Sequence, residues 1–291
     1  MSQENLNSDM YMQIKLKYNT FSAAHKKLAD FILNHPDFVL HQSISEVASA
    51  CEVGEATISR FCKILGYKSY HDFKIDLVQH LPQGSDNDHL SYVYSGITST
   101  DSISTVAKSI LAKDITALNE TNKLLGEDTV KMAVDILSEA NRIMFFGIGS
   151  SLTAALEGCN KFMRITPKAS INIETHMQYA AASLMSEDDV AIIVSYSGST
   201  KEIVEIARTA KSRGAKIICI TRYLKSPLTH YADISLICCS NERDVHGFSL
   251  SMELTQIYLL DVLYTAYFMH DVKLSQKNKS DTASIFSDKY Y

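Results

Sequence analysis

Hydrophobic positions change their spacing along this chain, and the change separates two kinds of structure. Up to about residue 80, apolar residues recur every three or four positions, which predicts helices. One helix carries Leu28, Phe31 and Ile32 and should end before Pro36. From residue 142 onwards, short apolar runs rich in β-branched and aromatic residues predict buried strands. These runs are 142–149, 190–198, 216–221 and 233–239, with 171–173 as a weaker candidate.

Residues 43–70 predict a helix-turn-helix. Ser43 or Ser45 can cap a first helix, a turn follows at 52–54, and a second helix begins near Glu55. On the second helix, Ile58, Phe61, Cys62 and Leu65 share one face. The opposite face carries side chains that can bond bases and phosphates in a major groove, and a further lysine follows just beyond it. We take these as candidate DNA-binding residues: Thr57, Ser59, Arg60, Lys63 and Lys68.

Charge weakens the DNA-binding interpretation and leaves room for a helical subdomain without a nucleic-acid partner. Residues 1–80 carry eight Lys and Arg against nine Asp and Glu, whereas a DNA-binding domain usually has a basic face. However, Arg60, Lys63, Lys68 and Lys74 cluster on and just beyond the second helix, and several acidic residues precede it. We therefore expect a locally basic surface with weak non-specific DNA affinity.

The later strands alternate with helical segments, which predicts a doubly wound α/β layer, a parallel sheet flanked by helices. Two strand ends carry hydroxyl-rich turns that each open a helix. We call residues 147–151 the first serine loop and residues 195–200 the second serine loop. Open α/β sheets bind ligands at this edge, and free N–H groups at helix starts favour phosphate. Neither loop fits a dinucleotide or nucleoside triphosphate motif, so a compact phosphorylated ligand fits better than ordinary helix caps would.

Three segments of the sequence resemble motifs of a known family. The run SYSGST at 195–200 resembles the SxSGxT phosphate loop of sugar isomerase (SIS) domains, and GIGSS at 147–151 resembles their first serine loop. Together with ATISRFCKILGY at 56–67, this is the pattern of RpiR-type (MurR/RpiR) bacterial transcriptional regulators. The resemblance covers about residues 14–268. It implies an α-helical DNA-binding domain, a SIS domain that senses a phosphorylated sugar, and a homo-oligomer. The implied sugar-phosphate-binding residues are Ser150, Ser151, Ser195, Ser197, Ser199 and Thr200.

Two positions depart from the usual family pattern. Glu52 stands at the turn where the motif more often has Gly, and it needs a backbone conformation that strains a non-Gly residue. Gly54 replaces the usual Ser that caps the second helix, at a small cost in stability. Both changes point to weaker DNA affinity.

The domain organisation expected from these patterns has four parts. A helix-turn-helix bundle spans 1–81, a linker rich in turn formers spans 82–102, a SIS domain spans 103–273, and a polar, loosely ordered tail spans 274–291. Within the third part, helix 103–125 would connect the two sites, and 249–268 would form a late apolar helix.

The main functional prediction is a DNA-binding regulator of carbohydrate metabolism genes, without enzymatic activity, controlled by a phosphorylated sugar. The alternative is a sugar-phosphate isomerase with an accessory helical domain, which needs a positioned base. Glu174, His176, His230 and His246 are isolated candidates for that base, and Glu157 lies within a helix. A third possibility is a regulator that acts on another protein through its helical domain.

Composition adds a cellular setting to this prediction. Six cysteines without CxxC spacing indicate reduced thiols in the cytoplasm. No apolar run reaches membrane-spanning length without a charge, and the start of the chain has no secretion-signal pattern. No metal-ligand spacing is present, so we expect no metal and no cofactor. The expected partners are operator DNA, a phosphorylated sugar and a second copy of the chain, with no membrane.

Overall fold

The structure is a computed structural model of the chain, and it describes residues 10–79, 97–239 and 251–285. These residues fall into two compact units, one ending at Ser109 and the other beginning at Ile110. Most of the predicted linker, 82–96, lies outside the described residues, as do residues 286–291 of the tail.

Helices around one apolar core form the N-terminal unit. Amphipathic spacing places Leu28, Ile58, Phe61 and Phe73 in that core, with almost no exposed surface. Helix α2 ends at Asn34, as predicted, and Pro36 begins α3 at a position where its missing N–H is not needed. The helices are α1 (Met10–Lys17), α2 (Ala23–Asn34), α3 (Pro36–His41), α4 (Ile44–Ala50), α5 (Glu55–Ile64) and α6 (Tyr70–Gln79), with a 3-10 turn at Tyr18–Thr20.

Strands alternate with helices through most of the second unit. The boundary between the two units falls inside the helix Ile103–Leu124, named α7. The elements are α7 (Ile103–Leu124), α8 (Glu127–Glu139), β1 (Arg142–Phe146), α9 (Ser150–Phe162), β2 (Ala169–Ile171), α10 (Thr175–Ser183), β3 (Asp189–Val194), α11 (Lys201–Ser212), β4 (Lys216–Thr221), β5 (Ile234–Ile237), α12 (Met252–His270) and α13 (Val272–Ser284).

A parallel sheet with strand order β2-β1-β3-β4-β5 forms the centre of this unit. Helices α8, α9 and α12 pack on one face, where Phe145 and Ile192 are buried. Helices α10 and α11 pack on the other face, against Met144 and Ile193. This confirms the predicted fold class, a helical N-terminal bundle followed by a doubly wound α/β layer. A strand lies near the weak candidate at 171–173, but it spans Ala169–Ile171 and shares only Ile171 with that prediction.

The prediction of a loosely ordered tail from residue 274 is wrong up to Ser284, because this segment forms α13. Its side chains are polar, so the hydrophobic pattern gave no helix signal. Hydrogen bonds stabilise it instead: the Asp271 carboxylate accepts from the N–H of Leu274 at 3.0 Å and caps the helix start. Further along, Asn278 Nδ2 donates to the carbonyl of Ile165 at 2.8 Å.

All six cysteines are free thiols, and Cys238 is buried while its neighbour Cys239 is partly exposed. Burial raises the pKa of Cys62 and of Cys238 to about 12, so both stay protonated near neutral pH. No helix in the described ranges combines the length and the apolar content that crossing a bilayer requires.

Candidate functional site

Helices α4 and α5 form the predicted helix-turn-helix. Ser43 caps α4 in a capping box, in which its hydroxyl accepts from the N–H of Glu46 and its own N–H donates to the Glu46 carboxylate at 3.0 Å. The turn then passes through Glu52 at φ 51°, the left-handed conformation expected to strain a non-Gly residue. Gly54 begins α5 without a side-chain cap. The turn and both helix starts therefore lie where the sequence predicted them.

The outward face of α5 carries exposed cations. Ser59, Arg60 and Lys63 are exposed and Thr57 is half-buried, whereas Ile58, Phe61 and Cys62 are buried behind them. Lys68 is exposed just beyond the helix. Within the part of the chain that the structure describes, none of Arg60, Lys63 and Lys68 forms a salt bridge. Free cations opposite a rigid core are what phosphate and base contacts require.

The acidic residues beside α5 are engaged within the unit. Glu52 forms an ion pair with Lys27 of α2, and this contact lowers the pKa of the Glu52 carboxyl. Glu55, in the first turn of α5, accepts a hydrogen bond from Ser45 of α4. Lys74, which the sequence grouped with the outward cations, is instead buried, and its Nζ donates to the carbonyl of Leu40 at 3.3 Å. It therefore does not contribute to the exposed basic surface.

The two serine loops lie side by side in the second unit, because β1 and β3 are neighbours in the parallel sheet and both end at the same edge. In the first serine loop, a Cβ on Gly147 would lie 2.8 Å from the carbonyl oxygen of Ser151, so only Gly fits. Gly149 then turns the chain into α9 at φ 62°. Ser150 is half-buried and Ser151 buried.

Backbone bonds to β4 fix the second serine loop. Ser195 N–H donates to Ile220 O at 3.0 Å, and the N–H of Arg222 donates to Tyr196 O at 2.9 Å. Gly198 has φ 59°, and a Cβ there would lie 2.3 Å from Ser226 Oγ. Both the N–H and the hydroxyl of Ser199 bond back to Ser197, at 3.2 Å and 3.1 Å. The loop is thereby held tightly, with Ser195 buried and three hydroxyls half-buried: those of Ser197, Ser199 and Thr200.

Both loops leave the helix that follows them without a side-chain cap. Gly149 precedes α9, and Thr200 precedes α11 without using its hydroxyl to cap it. Elsewhere, hydroxyl or carboxylate caps close α2, α4, α10 and α13. An uncapped start is not diagnostic alone, since α3, α5, α8 and α12 also begin without a side-chain cap. Two uncapped starts at one sheet edge, surrounded by hydroxyls, give the donors that a phosphate group needs.

Two buried glutamines that sequence reasoning missed contact the first serine loop. Gln178 of α10 brackets Gly147: its Nε2 donates to the Gly147 carbonyl at 2.9 Å, and its Oε1 accepts from the Gly147 N–H at 3.2 Å. Gln256 of α12 donates from Nε2 to Ser151 Oγ at 3.2 Å. Each is a lone amide among mostly apolar helix positions, which is the signal that could have identified it.

A third missed residue lies at the end of β4. The guanidinium of Arg222 is 5.6 Å from the ring centroid of Tyr196 and 5.4 Å from that of Tyr223. These cation–π contacts place a positive charge against the second serine loop. A charged residue directly after the apolar run 216–221 was the available signal, by the same strand-end rule that identified the serine loops.

Two of the candidate bases for isomerisation are engaged in other interactions, two are exposed, and one lies outside the described residues. Glu174 caps α10, and the N–H groups it accepts from lower the pKa of its carboxyl, which makes it a weaker base. Glu157 forms an i,i+4 ion pair with Lys161 at 3.3 Å. His176 and His230 are exposed, and His246 lies outside the described residues. Among the described residues, no group of three His, Cys, Asp or Glu side chains is arranged to hold a metal.

Two protein-family descriptions match this chain. A helix-turn-helix domain of the rpiR family matches residues 8–84, and a SIS domain matches residues 136–266. An HTH-type transcriptional regulator of Haemophilus influenzae is 33% identical over 268 residues, which cover 92% of this chain and 93% of the relative. The HTH-type transcriptional regulator HexR of Pseudomonas aeruginosa is 32% identical over 254 residues, covering 87% of each chain.

Solved structures agree on the fold. The Vibrio vulnificus NanR protein, solved in complex with ManNAc-6P, superimposes with a TM-score of 0.82 at 24% identity, covering 97% of this chain and 99% of NanR. The sugar isomerase domain of an RpiR transcription factor from Sphaerobacter thermophilus covers 62% of this chain and 99% of its own, with a TM-score of 0.57 at 18% identity. The first of these extends over both units.

Proposed function

This chain belongs to the rpiR family of helix-turn-helix transcriptional regulators, and we propose that a phosphorylated sugar bound at its serine loops controls its binding to operator DNA. The observation that carries the proposal is the pair of uncapped helix starts at one sheet edge, in a chain that also exposes Arg60, Lys63 and Lys68 on and beside α5. Such a regulator acts in the cytoplasm, where its operator is.

The serine loops support a phosphate ligand through neutral donors. Ser150, Ser151, Ser195, Ser197, Ser199 and Thr200 are the proposed contacts, together with the N–H groups that begin α9 and α11. The ManNAc-6P complex of NanR supports a phosphorylated sugar as the ligand class, because that protein shares the fold over both units. Those loop hydroxyls and N–H groups that do not contact the phosphate would bind the sugar hydroxyls.

DNA recognition is assigned to the outward side chains of α5. Arg60 is the proposed base-reading residue, since an arginine can bond two acceptors of a guanine at once. Lys63 and Lys68 contact phosphates, and Thr57 and Ser59 add shorter hydrogen bonds to either. A homodimer would place two copies of α5 about one helical turn apart on the operator.

The proposed regulation is linkage between the two sites. Ligand binding changes the arrangement of paired SIS domains, and that change alters the spacing of the two α5 helices. Helix α7 is the proposed connection, since it contains the boundary between the units. Its Leu111 and Ile115, four residues apart and both exposed, supply an apolar face for a second copy.

We propose binding without turnover. Isomerisation needs a base within hydrogen-bond reach of the sugar. Glu174 is occupied in capping α10, and Glu157 is occupied by Lys161. The relatives above are named as transcriptional regulators, which favours a sensor over an isomerase.

A thermal-shift screen against phosphorylated sugars and their unphosphorylated counterparts tests the proposal. A ligand at a hundred times its dissociation constant stabilises the folded state by about 2.7 kcal/mol, which raises the melting temperature visibly. We expect a shift with a phosphorylated sugar only, reduced in Ser197→Ala and unchanged in Ser212→Ala at the far end of α11.

The positive ligand is then added to a gel-shift titration with operator DNA. A change in operator affinity is expected for the wild type. Absence of any thermal shift across the panel would refute the sensor function, and turnover of a sugar phosphate by the pure protein would favour the isomerase.

A further inference from the structure

Gln256 is an anomaly in the apolar helix α12. Its side chain has no exposed surface, and its Nε2 donates to Ser151 Oγ at 3.2 Å. Its carbonyl oxygen, Oε1, has no hydrogen-bond partner within the described structure. A buried amide oxygen without a donor costs free energy, which an incoming hydrogen-bond donor would recover.

Rotating the amide does not remove the problem. Oxygen and nitrogen of a glutamine amide can exchange places, in which case Oε1 would accept the Ser151 hydroxyl proton and Nε2 would lose its partner. Either orientation leaves one polar atom unsatisfied. Gln178 provides the contrast, because it is equally buried but bonds Gly147 through both amide atoms.

The unsatisfied oxygen lies at the proposed ligand site. Ser151 is the second residue of α9, whose uncapped start opens at the carboxyl edge of the sheet. Because Gln256 Nε2 donates to Ser151 Oγ, the Ser151 hydroxyl proton is left to point at a ligand. Gln256 Oε1 belongs to the same amide group as Nε2, so it lies close to the nitrogen that bonds Ser151.

We propose that Gln256 is a specificity-determining residue whose Oε1 accepts a hydrogen bond from a hydroxyl or amide N–H group on the sugar part of the ligand. This inference rests on the proposed function. With the amide oriented as in the structure, a phosphate dianion, which offers acceptors only, cannot satisfy Oε1, so the donor belongs to the sugar. Gln256 thereby separates recognition of the sugar from recognition of the phosphate.

Calorimetric titrations with Gln256→Met test this assignment, with the phosphorylated sugar found by screening and with inorganic phosphate as separate probes. Met keeps the length of the side chain and removes both polar atoms. We expect affinity for the phosphorylated sugar to fall about tenfold, the effect of one hydrogen bond, while affinity for inorganic phosphate changes less than about twofold. Without ligand, the variant should melt at or above the wild-type temperature, since an unsatisfied group is removed.

Gln178→Met is the matched control. Both amide atoms of Gln178 bond Gly147, so this variant should melt at a lower temperature and lose affinity for both probes equally. Gln256→Glu gives a second variant if the Met protein does not fold. Its carboxylate still accepts a hydrogen bond from a sugar donor but repels phosphate. Affinity for inorganic phosphate should therefore fall more than affinity for the phosphorylated sugar.

Three results would overturn the inference, and they are distinct. Wild-type affinity for the phosphorylated sugar in Gln256→Met would assign Gln256 a packing role. An equal loss for both probes would assign it to the phosphate through Ser151. Failure of the wild-type protein itself to bind any phosphorylated sugar would refute the proposed function, and the inference with it.

Discussion

The two phosphate-binding surfaces proposed for this chain are built in opposite ways. Helix α5 offers exposed cations on long side chains, with a rigid apolar core behind them. The serine loops offer short neutral hydroxyls and backbone N–H groups, with every predicted contact at least half-buried. None of the six predicted contacts carries a charge, and the nearby Arg222 guanidinium stacks against Tyr196 and Tyr223. The same chemical group can thus be recognised by net charge or by oriented dipoles.

The difference follows from what each ligand is. DNA is a long polyanion with condensed counterions, so exposed cations gain affinity by releasing those ions. A sugar phosphate is small and must be told apart from other phosphates, which requires enclosed donors at fixed positions.

Salt should separate the two surfaces most strongly. The two phosphate-contacting lysines, Lys63 and Lys68, give about four phosphate contacts in a dimer, so operator affinity should fall about 150-fold between roughly 50 mM and 200 mM salt. Affinity for the phosphorylated sugar should change less than about threefold, because its contacts are neutral and partly buried. Fluorescence anisotropy on labelled operator and calorimetry on the ligand measure both. Equal salt dependence at the two sites would remove the contrast.

Arg60→Ala should lower operator affinity by about 100-fold, since an arginine that bonds a guanine twice is lost together with a positive charge. Ligand-induced thermal stabilisation should be unchanged. Arg208→Ala is the matched control: Arg208 is also exposed, but it lies on α11 and pairs with Glu205. A gel-shift titration in which the two variants bind operator equally well would exclude α5 as the reading element.

Gly198→Ala should disrupt the serine-loop site. The new Cβ would lie 2.3 Å from Ser226 Oγ at φ 59°, so clash and backbone strain combine, with an expected cost of about 1–3 kcal/mol. We expect a lower melting temperature and at least about tenfold weaker ligand binding, with operator affinity retained. Gly149→Ala shares the positive φ but meets no atom within 4 Å, so its cost is backbone strain without a clash. Equal effects of the two substitutions would mean that strain alone acts.

The sequence predicted both surfaces because each depends on local order along the chain. The spacing of Ile58, Phe61, Cys62 and Leu65 fixed the inner face of α5, and so its outer face as well. The serine loops follow apolar runs directly, and the strand-end rule places such loops together without knowledge of contacts. The buried runs also gave the parallel sheet, since strands covered on both faces are continuously apolar.

What the sequence did not reveal depends on contacts between distant segments. Gln256 and Ser151 are 105 residues apart, and Gln178 is 31 residues from Gly147. No periodicity connects such pairs. Lys74 was misassigned for a related reason, because its stem is buried among helices whose packing the pattern does not specify. Helix α13 escaped detection because capping and a tertiary hydrogen bond, rather than an apolar face, stabilise it.

The smallest predicted effect concerns the strained turn beside α5. Glu52→Gly should stabilise the protein by up to about 1 kcal/mol, because Gly adopts φ 51° without a Cβ penalty. It should also raise operator affinity a few-fold, since it removes a negative charge near α5 and releases Lys27 from its ion pair. Denaturant unfolding and operator titration measure the two effects.

Glu52→Ala distinguishes strain from charge in this turn. Ala removes the ion pair but keeps the Cβ, so it should raise operator affinity as Gly does without the gain in stability. Both substitutions change only the charged, exposed surface beside α5. The affinity of the serine loops for the phosphorylated sugar should therefore be the same in both variants. If Ala and Gly change the stability equally, the turn is not strained, and the change comes from removal of the Glu52 carboxylate and its ion pair with Lys27. If either substitution at Glu52 changes the affinity for the phosphorylated sugar, the two surfaces are coupled even without DNA. They would then differ in the chemical groups that bind phosphate but would not be energetically independent.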